Sequence, residues 1–441
     1  MAHGHAHHSH LDDVDDRPFE ARVRALASRR VLAGVIVAIT LGTVIGLIVL
    51  WPGDTEPVVT LEGEDYFGER VEASVTEVET GDCSYAQTPG EFTCDAIFFE
   101  VTSGSPAGDT DLLEVSHGIG GPTIHQGDEV ILYYGASAPS GAQYQFADFQ
   151  RRAPLTWLAV AFFLVVVAFA KWRGLFAIIG VGVSMLVLVG FMLPALLESE
   201  PPVWVALVGT CAVALPALYL AHGISERTSV AVIGTVSSLL FICVLGLTFV
   251  HLTHLTGLVD EEVGFLQAFG GDLDFAGLLL AGLVIGALGV LDDVTVTQVA
   301  AVWELRVAQP AASGRELYRA GVRIGRDHIA STVNTLVLAY AGASLPLLLL
   351  FVSSEQHFGD VITSEAIAAE IVRALVGSIG LVASVPITTG LAALVVTRDA
   401  TTATTTRSPR AQAQRRRRTA PEPPDQARPR WEDFGPPGET D

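Results

Sequence analysis

Long apolar runs recur along the chain and constrain its fold more than any other feature of the sequence. A helix of roughly 20 apolar residues crosses the hydrocarbon core of a bilayer, which is about 30 Å thick. Charged residues make up only 17% of the chain, whereas soluble proteins carry about 25%. We therefore predict an α-helical polytopic membrane protein with about eight transmembrane helices. These are expected at residues 31–51, 155–170, 174–197, 203–221, 230–255, 275–291, 329–352 and 371–397.

The distribution of basic residues predicts how the chain crosses the membrane. Cytoplasmic connections carry an excess of Lys and Arg, and the basic residues here fall before the first span and then in every second connection. Only Arg151 and Arg152 depart from this alternation, and they follow a long polar segment of the kind that is translocated regardless of charge. The prediction is a plasma-membrane protein with both termini in the cytoplasm and with the first apolar run, residues 31–51, retained as a signal anchor.

Residues 52–152, between the first two spans, are predicted to form a small extracytoplasmic domain. Polar residues alternate with Val71, Ala73 and Val75, and four further short apolar segments are bounded by Gly, Pro and Asp. Alternation with a period of two is typical of half-buried strands. Five short strands favour a small all-β barrel of the OB or SH3-like kind, with a small sandwich as the alternative. Cys83 and Cys94 are expected to form a disulfide in an oxidising compartment, the alternative being two free thiols.

Both ends of the chain are polar and are predicted to be cytoplasmic tails that flank the helical bundle of residues 153–397. Residues 1–30 contain a His-rich stretch, and imidazoles at this density can bind transition metals without a fixed geometry. The alternative is a disordered polar tail. Residues 398–441 combine Thr, Arg, Pro and acidic residues, which predicts a second disordered tail. The candidate metal ligands are His3, His5, His7, His8 and His10.

Two adjacent carboxylates, Asp292 and Asp293, follow the sixth apolar run. Burying charge in a membrane is costly, so ionisable residues in or beside a span are candidates for function. At about 100° per residue, Asp293, Thr297 and Glu304 share one face of a helix. One interpretation places these residues in a transport pathway, at the end of the span or at a break in the helix. The other interpretation treats the aspartates as the N-terminal cap of a new helix.

A second polar stripe lies at the start of the seventh span, where Asp327, Ser331 and Asn334 fall on one face of the predicted helix. These residues extend the candidate transport pathway. The alternative is that Asn334 only bonds a neighbouring helix, an interaction worth about 1 kcal/mol. The chain contains no nucleotide-binding loop and no HExxH or GxSxG motif. We therefore predict neither an ATP-driven pump nor an enzyme, and no cofactor.

Three long segments carry a family resemblance. They are "LDDVTVTQVAAVWEL" from Leu291, "SGRELYRAGVRIGRDHIASTVNTLVLAYAG" from Ser313 and "EIVRALVGSIGLVASVPITT" from Glu370. These segments resemble the conserved blocks of the YibE/F family of prokaryotic multi-pass membrane proteins, over roughly residues 60–397. The resemblance implies a transport protein or another multi-pass membrane protein and supplies no substrate. Members of the family often have a single aspartate where this chain has Asp292 and Asp293, so the second carboxylate is a departure.

Two functions are consistent with these features. The first is a secondary transporter or permease for a small solute or ion, in which Asp292 or Asp293 neutralises a cation or carries a proton. Thr297 and Asn334 would then supply neutral ligands. The second is a scaffold that is anchored in the lipid bilayer and binds an envelope protein through its outer domain. No nucleic-acid partner is expected.

Overall fold

The computed structural model describes residues 19–53, 68–84, 93–116, 122–139, 141–259, 261–269, 273–353 and 357–400. The candidate metal ligands His3, His5, His7, His8 and His10 lie outside the described residues, as do residues 401–441 of the predicted C-terminal tail. The described chain is mostly helical, with a separate small antiparallel β-domain near the N-terminus.

The β-domain is a five-stranded antiparallel sheet that curls into a half-barrel. Its strands are β1 (Glu69–Asp82), β2 (Thr93–Val101), β3 (Thr110–Ser116), β4 (Glu129–Tyr134) and β5 (Tyr144–Phe149). They are arranged in the order β3-β2-β1-β4-β5, and the two edge strands β3 and β5 approach each other. Alternate residues of β1, including Val71 and Ala73, are fully buried and pack with Phe99 and Leu132. The predicted period of two therefore marks the core face of the sheet.

The predicted disulfide between Cys83 and Cys94 is present and joins the end of β1 to the start of β2. The two cysteines are 11 residues apart in sequence, so the bond closes a short loop. Beside it, the Thr80 hydroxyl donates a hydrogen bond of 2.7 Å to the carboxylate of Asp95 on the paired strand. The disulfide and this cross-strand bond together hold one end of the β1–β2 hairpin.

Twelve helical segments make up the remainder of the described chain. They are α1 (Phe19–Val49), α2 (Arg152–Val187), a π-helical turn (Leu188–Met192), α3 (Leu193–Leu197), α4 (Pro202–His222), α5 (Glu226–Leu252), α6 (Glu261–Phe269), α7 (Phe275–Ala308), α8 (Gly314–Ala343), α9 (Leu345–Ser353), α10 (Phe358–Thr363) and α11 (Glu365–Ala400). Six continuous helical stretches are long and apolar enough to cross a membrane, or seven if the bent pair of α8 and α9 forms one span. Each of the predicted apolar runs falls mostly on helix, although the runs 31–51 and 230–255 extend past the ends of α1 and α5.

Several boundaries differ from those expected. Helix α1 begins at Phe19, so residues 19–30 of the predicted tail are helical, and α11 continues to Ala400. Helix α7 runs without a break past Asp292, which therefore does not cap a new helix. The axes of α8 and α9 are bent by 63°. Pro346 lies in the first turn of α9, where its missing N–H breaks no helical hydrogen bond.

The chain turns sharply at Lys171, inside the helical stretch Arg152–Leu197. Lys171 has non-helical dihedral angles, with φ 52° and ψ −132°. A Cβ atom built on Gly174 would lie 2.5 Å from the carbonyl oxygen of Val166. Eight residues along a straight helix separate two positions by about 12 Å. The chain therefore folds back on itself at Lys171 instead of continuing as one straight helix.

Arg151 and Arg152, the two residues that depart from the alternation of charge, are paired with carboxylates of the β-domain. Arg151 lies 2.6 Å from Asp148, and Arg152 lies 3.3 Å from Glu72. The hydrogen bond from Arg151 lowers the pKa of the Asp148 carboxyl below its usual value. These contacts connect the β-domain to the start of α2.

Contacts between loops define the end of the bundle that carries the β-domain. The Glu365 carboxylate, at the start of α11, accepts hydrogen bonds from the backbone N–H groups of Thr256 and Gly257, which follow α5. Gly53, which follows α1, donates to the Glu198 carboxylate after α3 at 2.9 Å. We call this the β-domain end of the bundle. The opposite end contains the start of α5, the connection from α7 to α8 and the end of α11.

Candidate functional site

A buried polar cluster lies where α5 and α7 meet. Thr235 of α5 and Thr295 of α7 are fully buried, and their hydroxyl oxygens are 2.8 Å apart. Thr295 also donates to the carbonyl oxygen of Asp292 at 3.2 Å, and the Asp292 carboxylate lies beside the Thr235 hydroxyl. This arrangement places a partly buried carboxylate next to two hydroxyl groups.

Helix α11 extends this cluster from the other side. The Thr389 hydroxyl donates a hydrogen bond of 3.0 Å to the Gln298 side-chain carbonyl, and both residues are buried. Thr388 is fully buried and packs against Gly234, where a built Cβ atom would lie 2.6 Å from the Thr388 hydroxyl oxygen. We call the following residues the Asp292 cluster: Thr235, Asp292, Thr295, Gln298, Thr388 and Thr389.

Glycine residues of α8 allow this helix to pack closely against the cluster. A Cβ atom built on Gly325 of α8 would lie 2.5 Å from Val385 and 2.7 Å from the Gln298 side-chain nitrogen. The same construction on Gly321 meets Thr389 at 2.7 Å. Small residues let helix backbones approach closely, and here they bring α8 against α7 and α11.

Five buried side-chain atoms in the described residues have no hydrogen-bond partner in the protein, and all five lie on α7, α8 or α11. They are Asp292 Oδ1, Gln298 Nε2, His328 Nε2, Ser378 Oγ and Thr388 Oγ1. Buried polar groups in folded proteins are nearly always paired with protein, water or an ion. Three of the five atoms belong to the Asp292 cluster, so the cluster retains polar capacity that the protein itself does not use.

The depth of the cluster follows from the rise of α5. Thr235 lies nine residues after Glu226 and 17 residues before Leu252 in sequence. At 1.5 Å per residue these separations correspond to about 14 Å and about 26 Å along the helix axis. The Asp292 cluster therefore lies inside the apolar stretch, nearer the end opposite the β-domain.

An apolar layer lies next to the cluster, between α7, α8 and α11. Its buried core is Val294, Leu381 and Val385, and it is flanked by Val290, Ile329 and Val333. Glu370 and Arg373 of α11 form an ion pair. They precede the residues of this layer on α11 and lie nearer the β-domain end of the bundle. Along α11, polar groups therefore lie both before and after this apolar layer.

The structure separates the predicted pathway residues. Asp292 is partly buried, with its Oδ1 atom shielded from solvent. The side chain of Asp293 is 77% exposed and lies 3.9 Å from His328 Nε2. Glu304, also exposed, lies 3.6 Å from Arg227. The predicted residues that are exposed on the surface of α7 or α8 are Asp293, Thr297, Glu304, Asp327, Ser331 and Asn334.

The buried residues of the cluster that the sequence interpretation missed are Thr235, Thr295, Gln298, Thr388 and Thr389. A signal for two of them was present: counting the helical period from Asp292 instead of Asp293 places Thr295 and Gln298 toward the inner face of α7. No group of three or more His, Cys, Asp and Glu side chains suited to a metal ion occurs among the described residues.

The fold and the cluster together define a helical membrane protein with a β-domain near its N-terminus and a polar site between its helices. The model of the YibE/F-like protein family matches residues 158–398, which is more than half of the chain. The chain therefore belongs to the YibE/F-like family. None of the curated proteins and none of the solved structures compared with the chain matches it.

Proposed function

We propose that the protein is a secondary transporter or permease of the YibE/F type, and that a small solute or ion passes the Asp292 cluster. The observation that carries the proposal is the Asp292 carboxylate itself. An ionised aspartate inside a membrane helix costs up to about 3 kcal/mol on insertion scales, the value for the helix centre. No basic side chain of the described residues forms an ion pair with Asp292 that could offset this cost. A residue with a purely structural role would not need a carboxyl group at this position.

The distribution of unpaired polar atoms supports a pathway over interhelical bonding alone. Interhelical hydrogen bonds stabilise a bundle when both partners are satisfied. Gln298, Ser378 and Thr388 each keep a buried polar atom without a protein partner, which favours contact with water or with a passing solute. The apolar layer around Val294 and Leu381 would act as the barrier, because apolar constrictions close a pathway by excluding water.

The proposal includes eight spans, a prokaryotic plasma membrane and cytoplasmic termini. The stretch Arg152–Leu197 has 46 residues, about 69 Å as a straight helix and more than twice the thickness of a bilayer core. Because the chain folds back at Lys171, this stretch supports two spans instead of one. With α8 and α9 as one bent span, the chain has eight spans. An even number of spans puts both termini on the same side of the membrane, so with cytoplasmic termini the β-domain lies outside the cell. Approach of β3 to β5 favours a small barrel of the OB or SH3-like kind.

Cysteine accessibility tests the proposed pathway. Thr235→Cys, Thr295→Cys and Thr388→Cys are made singly in a chain whose free cysteines, Cys211 and Cys243, are replaced by Ala. Inside-out membrane vesicles are then treated with a charged, membrane-impermeant thiol reagent. We expect all three cysteines to react, because a water-filled pathway would connect the cluster to the cytoplasm.

Val236→Cys is the matched control, since Val236 follows Thr235 but faces an apolar groove between α1, α4 and α5. It is expected to stay unlabelled. If none of the three cluster cysteines reacts, or if they react no faster than the control, the pathway proposal fails. The scaffold alternative is tested separately by deleting residues 62–147, because activity and phenotype that survive in the membrane part alone would exclude a scaffold that acts through the β-domain.

A further inference from the structure

We propose that the Asp292 cluster binds a monovalent alkali cation, with Na⁺ as the ion to test. This inference rests on the proposed function and names the ion that would occupy or drive the pathway. The site is formed by the Asp292 carboxylate and by the hydroxyl groups of Thr235, Thr295 and Thr388, from α5, α7 and α11.

The chemistry of the ligands selects a hard cation. Every candidate ligand atom in this group is a carboxylate or hydroxyl oxygen, and oxygen ligands suit alkali and alkaline-earth ions, whereas His and Cys suit zinc and copper. A threonine hydroxyl has one donor hydrogen and two lone pairs. Thr295 donates to the backbone carbonyl of Asp292, and its hydroxyl oxygen keeps a lone pair that can bind a cation.

Thr388 is the second, independent observation for a bound ion. Its side chain is fully buried, and its hydroxyl oxygen has no hydrogen-bond partner in the protein. The Thr388 side chain packs against Gly234, which immediately precedes Thr235, so its hydroxyl meets α5 one residue before the Thr235–Thr295 pair. A buried hydroxyl without a partner is costly, and a cation at this position would satisfy it.

The charge of the site fits one positive charge. When ionised, Asp292 supplies one negative charge, and the other ligands are neutral. The adjacent carboxylate of Asp293 faces outward and is 77% exposed, so it does not supply the second negative charge that divalent sites commonly use. A proton on Asp292 would also neutralise the charge, but it would leave the Thr388 oxygen unpaired. A coordinated cation accounts for both the Asp292 and the Thr388 oxygens.

Thermal unfolding of the purified full-length protein tests this site. NaCl is titrated against choline chloride at constant ionic strength, and the unfolding midpoint is followed. A ligand that binds only the folded state raises the midpoint as its concentration exceeds Kd. We expect Na⁺ to stabilise the protein saturably, and we expect Thr388→Val to weaken the apparent Kd by about tenfold, equivalent to about 1.4 kcal/mol.

Three further variants make the result specific. Thr388→Ser keeps the hydroxyl oxygen and should retain Na⁺ binding. Asp292→Asn should abolish it, and Asp293→Asn, which changes the exposed neighbour, should leave it unchanged. The inference is overturned if NaCl and choline chloride have equal effects, or if Thr388→Val binds Na⁺ as tightly as Thr388→Ser. Reactive cluster cysteines without a Na⁺ effect would reject the ion and leave the pathway intact, whereas unreactive cysteines would reject the pathway itself.

Discussion

Replacing Gly325 by alanine tests whether α8 packs against the Asp292 cluster as closely as described. The added Cβ atom would lie 2.5 Å from Val385 and 2.7 Å from the Gln298 side-chain nitrogen. Atoms at these distances overlap, so the helices must separate or the side chains of Val385 and Gln298 must shift, and a shift of Gln298 disturbs its hydrogen bond with Thr389. Overpacking a core costs about 1–3 kcal/mol, and a lost hydrogen bond costs about 1 kcal/mol more. The steric penalty is therefore about 2–4 kcal/mol.

The matched control is Gly289→Ala on α7, where a built Cβ atom meets nothing within 4 Å. Alanine stabilises a helix interior by about 1 kcal/mol relative to glycine, and both variants share this gain. We therefore expect Gly325→Ala to have a free energy of unfolding about 2–4 kcal/mol below that of Gly289→Ala. Denaturant titration in detergent micelles, followed by circular dichroism, measures the difference. Equal stability of the two variants would refute the described packing of α8.

Three other predictions concern the β-domain and the cluster. Replacing Cys83 and Cys94 by serine should lower the free energy of unfolding of the β-domain by about 3 kcal/mol in the chain-entropy model, and unchanged hydrogen exchange of its strands would contradict this. Burial raises the pKa of Tyr144 to about 12, whereas the unfolded phenol titrates near pH 10. The folded state then binds more protons between these values, so stability should fall as pH rises from about 10 to 12 in the parent but not in Tyr144→Phe. Finally, Thr295→Val leaves a buried hydroxyl without its partner and should cost about 1–3 kcal/mol, whereas Thr297→Val, at an exposed position, should change stability by less than about 0.5 kcal/mol.

The positions of the apolar helices could be predicted from the sequence because burial in lipid and burial in protein both require apolar residues. Because both environments require apolar residues, the sequence does not show which face of a helix points into the bundle. Helix α7 is apolar on nearly all sides, so its pattern does not separate the inner face, which includes Leu291 and Thr295, from the outer face with Gly289 and Asp293. The sequence showed that the two carboxylates are costly to bury in a membrane and are therefore candidates for function. It could not show that Asp292 faces the bundle and Asp293 does not.

The other members of the Asp292 cluster could not be predicted from the sequence either. Thr235 and Thr388 lie on helices that are distant from Asp292 along the chain, and neither has a motif that links it to an aspartate. Their positions depend on close packing at Gly234, which is a property of the assembled bundle. The disulfide was predictable because Cys83 and Cys94 are near each other in a segment expected to face an oxidising compartment. The continuity of α7 past Asp292 was not predictable, because adjacent aspartates also suit a helix N-terminus.

Disulfide cross-linking between α5 and α7 measures whether Thr235 and Thr295 face each other inside the bundle. Thr235→Cys and Thr295→Cys are combined in a chain with Cys211 and Cys243 replaced by Ala, and a protease site is placed between α5 and α7 to reveal the link on a gel. The two hydroxyl oxygens are 2.8 Å apart, so mild oxidation should join the two helices. The matched pair of Thr235→Cys with Thr297→Cys should remain unlinked, because Thr297 faces outward. Linkage of the second pair instead of the first would place Thr295 outside the cluster and Thr297 inside it, opposite to the packing of α5 on α7 reported above.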